Sequence, residues 1–123
     1  MSATRSSELL EAIRNFLRED VQSELSGIKA YNTRIAHNAL GIVARELEQG
    51  AALVELDGEM ARRLGLDEQA GPIGRQIALG LKDGTLEMDA VLMEYLKKRT
   101  VAALAIDNPK YSGLQQARER WPV

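Results

Sequence analysis

The segment IKAYNTRIAHNALGIVARELEQ, residues 28–49, carries the clearest helical pattern in the chain. Its apolar side chains recur every three or four residues, which is the spacing of one face of an α-helix. A helix of this length measures about 33 Å at 1.5 Å per residue. We expect Gly50 to end it, because glycine readily leaves the helical conformation. The apolar face comprises Ile28, Tyr31, Ile35, Ala39, Ile42, Val43 and Leu47.

A second apolar face precedes this segment and predicts a helix over residues 7–25. Ser6 or Ser7 can cap its first turn, since a serine oxygen accepts from free amides at a helix start. Gly27 can end it in the left-handed conformation. Because only a few residues connect the two helices, they should form an antiparallel hairpin.

The remainder of the chain also shows helical spacing and no alternation typical of strands. Apolar residues 53–64 are helically spaced, although Gly58 weakens a helix there by roughly 1 kcal/mol relative to alanine. After a connection, a short helix should run from Ile73 to near Gly84. Asp89 can cap a last long helix that ends at about Asp107, before Pro109.

These patterns predict an all-α protein, an irregular bundle of about five helices with the N-terminal antiparallel hairpin. A final short helical turn is expected around residues 115–120. The length of 123 residues is typical of a single domain, so we expect one helical domain over residues 1–123. Its ends, about 1–6 and 112–123, should be flexible.

Composition narrows the function classes. The absence of cysteine excludes a disulfide scaffold, a cysteine zinc site and thiol catalysis, and it fits a cytoplasmic location. No apolar run approaches the roughly 18 residues of a membrane helix, and the first ten residues lack the apolar core of a signal peptide. A net charge of −2 gives no general attraction to nucleic acid. We therefore expect neither a membrane nor a nucleic acid as partner.

Charged residues on the apolar faces require partners, since an unpaired buried charge costs several kcal/mol. In the hairpin, Asp20 lies across from residues 32–34, so Arg34 or Asn32 is its expected partner. Glu46 and Arg99 are charges of opposite sign that interrupt the apolar faces of the two longest helices. We expect them to approach each other if those helices pack together.

A polar stripe borders the apolar face of the second helix and contains Arg34, Asn38 and Arg45. It has two interpretations. The guanidinium groups could form a groove for an anion or an acyl phosphate. Alternatively, the stripe is a solvated edge with pairs such as Arg45 and Glu48. The two arginines are about 16 Å apart along the helix, too far to bind one small anion, which favours the solvated edge.

No residue pattern indicates catalysis, a metal or a cofactor. The single histidine, His37, should project from the polar side of its helix, and nothing places a nucleophile beside it. The Glu-x-x-His motif of di-iron bundles is absent, because Arg34 occupies the position three residues before His37. Trp121 could dock on the core or form part of a partner interface.

Three stretches, ELLEAIRNFLRED (8–20), YNTRIAHNALGIVARELEQG (31–50) and LAIDNPKYSG (104–113), resemble an uncharacterised bacterial family of small all-helical domains of unknown function. The resemblance spans roughly residues 8–113. It implies members often encoded near phosphotransferase-like kinases and acyl-CoA-dehydrogenase-like proteins. It therefore implies an accessory role, with such an enzyme as a partner, and names no reaction.

Two functional hypotheses follow. The first is a non-catalytic interaction module that forms a homodimer, since helical apolar residues are in surplus and no catalytic constellation exists. The second is a helical bundle that binds a small acyl or phosphate-bearing metabolite. It predicts a cavity between the second helix and the last long helix. Apolar residues and some of Arg34, Asn38, Arg45 and Tyr95 would line that cavity.

Overall fold

The structure is a computed structural model that describes residues 2–121. It confirms the all-α class, because the described chain contains five α-helices and no strand. None of these helices combines the length and the apolar character of a membrane span. The helices are α1 (Ala3–Phe16), α2 (Gly27–Leu64), α3 (Ile73–Asp83), α4 (Ala90–Asp107) and α5 (Ser112–Arg120).

The first helix differs from its predicted form at both ends. It begins four residues earlier than residue 7, and Ser2 caps it by accepting a hydrogen bond from the amide of Arg5 at 3.2 Å. The regular α-helix ends at Phe16 and continues as a π-helical turn, Leu17–Val21, and a short 3₁₀ turn, Gln22–Glu24. Neither Ser6 nor Ser7 is therefore the cap that the sequence suggested, and the Ser7 side chain is buried.

The second helix does not end at Gly50, which corrects the prediction. It continues through Gly50 and Gly58 to Leu64, and Gly65 follows it with φ of 70°. Two internal glycines cost roughly 1 kcal/mol each relative to alanine. The packing of apolar residues beyond them into a core offsets that cost, because tertiary packing stabilises most protein helices.

Other predicted boundaries agree with the structure. The side chain of Asp89 accepts from the amide of Leu92 at 2.8 Å and caps α4, which ends at the predicted Asp107. Helix α3 ends at Asp83, followed by Gly84 in the left-handed conformation. Gly27 also has a left-handed φ, 62°, where the chain turns from the 3₁₀ turn into α2.

The chain divides into two compact units. The first comprises residues up to Ala51 together with Ile106–Asn108, and the second comprises Ala52–Ala105 with the segment from Pro109. The single domain predicted for residues 1–123 stays a prediction, as does the flexibility of residues 1–6 and 112–123. Helical turns extend into both ends, while residues 1, 122 and 123 lie outside the described residues.

Two contacts in the first unit confirm the antiparallel hairpin. Ser7 Oγ donates to the carbonyl of Ala44 at 3.1 Å, and Arg14 Nε donates to the carbonyl of His37 at 3.0 Å. From the first contact to the second, α1 advances seven residues and α2 goes back seven. The two helices therefore run in opposite directions.

His37 lies inside this hairpin, which corrects its predicted position on an outward polar face. Its Nδ1 is 2.9 Å from the carbonyl of Arg14, so Nδ1 carries the proton and donates. Its Nε2 lies 3.2 Å from Nη2 of Arg14 and accepts from it. The ring is 8% exposed, and each nitrogen has a partner.

Gly41 makes room for this arrangement. A Cβ built on Gly41 would lie 2.8 Å from Cζ of Arg14, closer than real contacts allow. The planar guanidinium therefore lies against the bare backbone of α2, and Glu11 binds its other side through a 2.6 Å ion pair. Ala44, one turn further, is also buried. Small side chains thus let α1 approach α2 closely.

The second unit has its own apolar core, built from α2, α3 and α4. Leu86 packs directly on Gly80, where a Cβ would lie 2.7 Å from the leucine Cγ. The glycine therefore admits a loop side chain. The buried members of the core are Met60, Ala61, Ile73, Ile77, Leu92 and Tyr95.

Gly41→Ala should lower the free energy of unfolding by about 1 kcal/mol. A Cβ displaces the Arg14 guanidinium, and losing charged hydrogen bonds outweighs the gain of roughly 1 kcal/mol in helix propensity. In an Arg14→Ala background the same substitution should be stabilising, because only the propensity gain remains. Urea unfolding of the four proteins in this double-mutant cycle measures the coupling. Stabilisation by Gly41→Ala with Arg14 present would contradict the packing described.

Candidate functional site

The apolar face predicted on the second helix lies on the surface of the first unit. We call it the α2 stripe and define it by five large side chains, each between 40% and 68% exposed. Helix α1 packs on the other side of α2, along His37, Gly41 and Ala44. The stripe is therefore left uncovered. Its members are Ile28, Tyr31, Ile35, Val43 and Leu47.

Helix α1 has an exposed apolar arc of its own. Leu9, Ile13 and Phe16 follow each other at helical spacing and are 48%, 48% and 54% exposed. The residues with which α1 contacts α2 include Ser7 and Arg14, so polar groups form much of that contact. Scattered exposed apolar residues are ordinary, whereas large contiguous apolar patches mark interaction sites.

Charge is segregated along α2 in the first unit. Residues 27–45 contain Lys29, Arg34 and Arg45 and no acidic residue, whereas Glu46 and Glu48 follow immediately. All of these except Arg45 are exposed. One end of the stripe therefore has basic neighbours and the other end has acidic ones.

The stripe is also nearly symmetric about a midpoint between residues 37 and 38. Reversing the helix about that point exchanges Ile28 with Leu47, and it brings Tyr31 to within one residue of Val43. The same reversal exchanges Lys29 with Glu46. Two such helices in antiparallel orientation would thus match apolar with apolar and basic with acidic residues.

A polar cluster lies in the second unit, where α2 faces α4. Asp57 Oδ1 accepts two hydrogen bonds, from the Tyr95 hydroxyl at 2.6 Å and from Arg99 Nε at 2.8 Å. Arg99 Nη2 lies 3.3 Å from Asp57 Oδ2 and completes a two-point ion pair. Such forked pairs fix the orientation of the guanidinium plane.

The cluster perturbs the ionisation of two of its members. Burial, followed by the hydrogen bond to the Asp57 carboxylate, raises the pKa of the Tyr95 phenol well above its ordinary value of 10.0. The hydrogen bond to Asp57 likewise raises the pKa of the Arg99 guanidinium. Tyr95 is therefore a neutral donor and Arg99 a cation throughout the physiological range.

A cavity of about 450 Å³ adjoins this cluster. Its polar lining includes Asp57, Arg99, Thr100 and Glu68. Apolar side chains complete the wall, chiefly Val54, Ile73 and Leu96. The cavity lies between α2 and α4 and includes Tyr95, as the ligand-binding hypothesis expects, but its arginine is Arg99. Within residues 2–121, no group of three or more acidic or histidine side chains is arranged to hold a metal ion.

The predicted hairpin ion pair does not form in the described chain, since no ion pair within 4.0 Å joins Asp20 to Arg34. Asp20 lies in the π-helical turn, which changes the register of α1 just where the pair was expected. The Arg34 guanidinium instead lies 5.4 Å from the ring centroid of Tyr31, one turn away on the same helix.

Asn38 and Arg45 of the proposed groove on α2 have separate environments, as does the neighbouring Glu46. Asn38 and Glu46 are exposed. Arg45 is partly buried, and its Nε donates to the carbonyl of Ile106 at 2.7 Å. Because the last carbonyls of a helix have no partner within it, Arg45 caps the C-terminal end of α4. Its partner is therefore this backbone carbonyl, while a groove lined by Arg34, Asn38 and Arg45 stays a prediction.

Sequence reasoning identified Arg99 as a residue that needs a partner but missed Asp57. Pairing of Arg99 with Glu46 stays a prediction, while Asp57 is the acid that Arg99 contacts here. Little in the sequence singles out Asp57, because Glu55 and Glu59 are acidic residues of the same helically spaced run. Ending the second helix at Gly50 also separated this run from the helix that carries it.

Trp121 lies near α4 of the second unit. The ammonium group of Lys97 is 5.8 Å from the centroid of its indole ring, which is a cation–π distance. The ring is half-buried. Trp121 was expected either to dock on its own chain or to form part of a partner interface. The contact with Lys97 supports docking on its own chain.

Tyr95→Phe should cost about 1 kcal/mol of unfolding free energy at neutral pH, because one hydrogen bond to Asp57 is lost. The raised pKa of Tyr95 adds a pH dependence. Below pH 10 the phenol is neutral in both the folded and the unfolded state, and its contribution to stability is complete. Above pH 10 the phenol ionises in the unfolded state first, so this contribution declines as the pH rises. The difference in unfolding free energy between the natural protein and Tyr95→Phe should therefore become smaller above pH 10. Urea unfolding at several pH values measures both effects. Tyr111→Phe, at a half-exposed ring, is the neutral-pH control, and an equal loss there would contradict the cluster.

Comparisons with known proteins identify one family. The model of the Domain of unknown function (DUF6285) matches residues 23–111. No curated protein matches the chain. No solved structure matches it either. The matched range includes α2, α3 and α4 and begins after the stretch 8–20, part of the resemblance noted in the sequence. Because the match extends over more than half of the chain, the protein belongs to the DUF6285 family, whose function is unknown.

Proposed function

We propose that this protein is a non-catalytic interaction module that binds a second copy of itself through the α2 stripe. The observation that carries the proposal is the exposure of the five stripe residues on one helix. Removing apolar surface from water is favourable by about 25 cal/mol per Å². A complex in which a partner covers this row of large side chains is therefore stabilised. A second copy presents the same row.

The charges favour an antiparallel arrangement of the two helices. In that orientation Lys29 of one copy approaches Glu46 of the other, and the twofold symmetry creates the contact twice. A parallel arrangement would place like charges together at both ends. Complementary charges at an interface rim set orientation more than affinity.

The size of the stripe suits a standard interface. From the fractional exposures, its five side chains expose roughly 450 Å² of mainly apolar surface, against the roughly 800 Å² that each partner contributes to a typical interface. Ordinary interfaces are a little over half apolar, so flanking polar residues would supply the remainder.

The first test is the oligomeric state of Ile35→Glu. Ile35 lies within three residues of the proposed twofold axis, so the variant would bring two carboxylates near each other in an apolar setting. Analytical ultracentrifugation should show dimer for the natural sequence and at least about tenfold weaker association for the variant. Leu79→Glu is the matched control, because Leu79 is 51% exposed on α3 and outside the stripe.

A charge exchange tests the orientation. Lys29→Glu and Glu46→Lys should each weaken the dimer, because each places like charges opposite one another. The double variant should restore association, since the pair is re-formed with the signs reversed. The natural protein remaining monomeric at about 100 μM would overturn the proposal. Failure of the double variant to recover would overturn the antiparallel arrangement.

A further inference from the structure

Arg99 enters the cavity wall of the second unit with most of its donors unused. A guanidinium has five N–H donors, and Asp57 takes one from Nε and one from Nη2. The remaining three belong to Nη1 and to the second hydrogen of Nη2, which form the outer edge of the plane. The side chain is 40% exposed, so ligands can reach it.

That outer edge matches the geometry of a carboxylate. The two parallel N–H groups of a guanidinium edge bind both oxygens of a carboxylate at once. Asp57 already holds the other edge and keeps the plane oriented, and the Tyr95 hydroxyl holds Asp57. The site is thus preorganised, which lowers the entropic cost of binding.

The acidic residues of the cavity disfavour a multiply charged anion. Glu68 lines the same cavity. Its Oε1 lies near Gly58, the residue after Asp57 on α2, at 3.5 Å from the position that a Cβ on this glycine would occupy. Arg62 Nη1 lies at the same distance from that point but does not line the cavity. Because the lining contains one cationic residue, Arg99, and the two carboxylates of Asp57 and Glu68, a phosphate would meet net repulsion.

We propose that this cavity binds a zwitterionic α-amino acid with an apolar side chain. The ligand carboxylate would bind the outer edge of Arg99, and its ammonium group would bind Glu68. Its side chain would contact Val54, Ile73 and Leu96. A volume of about 450 Å³ falls within the range of roughly 300–1,000 Å³ for small-molecule sites.

This site is independent of the proposed self-association. Its residues all lie between Val54 and Thr100 in the second unit, whereas the α2 stripe lies in the first. The Ile35→Glu variant should therefore bind the ligand as the natural protein does. If self-association fails its test, ligand binding in the cavity can still be tested separately, and the reverse also holds.

The experiment compares three probes of similar shape: L-leucine, 4-methylpentanoate and 3-methylbutylamine. The first has both charged groups, and each of the others lacks one. Titrations followed by ¹⁵N–¹H spectra of the full chain should show leucine binding with a Kd of about 1 mM or tighter, shifting the amides of Gly71, Gly74 and Thr100. The other two probes should bind about tenfold more weakly.

Two variants assign the contacts. Arg99→Lys keeps the positive charge beside Asp57 but loses the fork, and it should weaken leucine binding about tenfold. Glu68→Gln should weaken binding of leucine but not of 4-methylpentanoate, whereas Glu87→Gln, a control outside the cavity, should change neither. Absence of leucine binding, equal binding of either single-charge probe, or leucine binding unaffected by both variants would overturn the proposal. Natural-like spectra of Arg99→Lys and Glu68→Gln without ligand verify folding.

Discussion

The contact between the Arg14 guanidinium and the bare backbone at Gly41 determines which side of α2 faces α1. Arg14 donates to the carbonyl of His37 and to its ring, and the ring donates back to the carbonyl of Arg14. These bonds bury polar groups of α1 and α2 against each other, with each one satisfied. Since a helix has only one side toward a given neighbour, the apolar side of α2 does not face α1, and its large side chains are exposed.

The sequence allowed the secondary structure to be predicted well wherever one strong signal dominated. The caps at Asp89 and Gly84 and the antiparallel hairpin follow from residues close in the chain. Three helix boundaries were wrong: both ends of α1 and the end of α2. Gly50 looked like a terminator, and only the core beyond it shows why α2 continues. Ser6 or Ser7 was the predicted cap of α1, and Ser2 is the cap.

The candidate site was harder to predict because periodicity does not state which side of an amphipathic helix is buried. The usual assumption is that apolar faces are buried, and it placed His37 outside and the stripe inside. The structure has the reverse arrangement. Glycine at position 41 and alanine at position 44 were the available signal, since small residues at helical spacing permit close approach of a second helix.

The hydrogen bond from Arg45 to the carbonyl of Ile106 joins residues 61 positions apart in sequence. During synthesis, Arg45 leaves the ribosome 61 residues ahead of its acceptor. At ordinary elongation rates of 5–20 residues per second, that interval lasts roughly 3–12 seconds. The hairpin of α1 and α2 needs only nearby residues and can form within it. The first unit is therefore completed late, when the chain supplies Ile106–Asn108. Until then, the hairpin of α1 and α2 can be formed while the end of α4 that Arg45 caps is still missing.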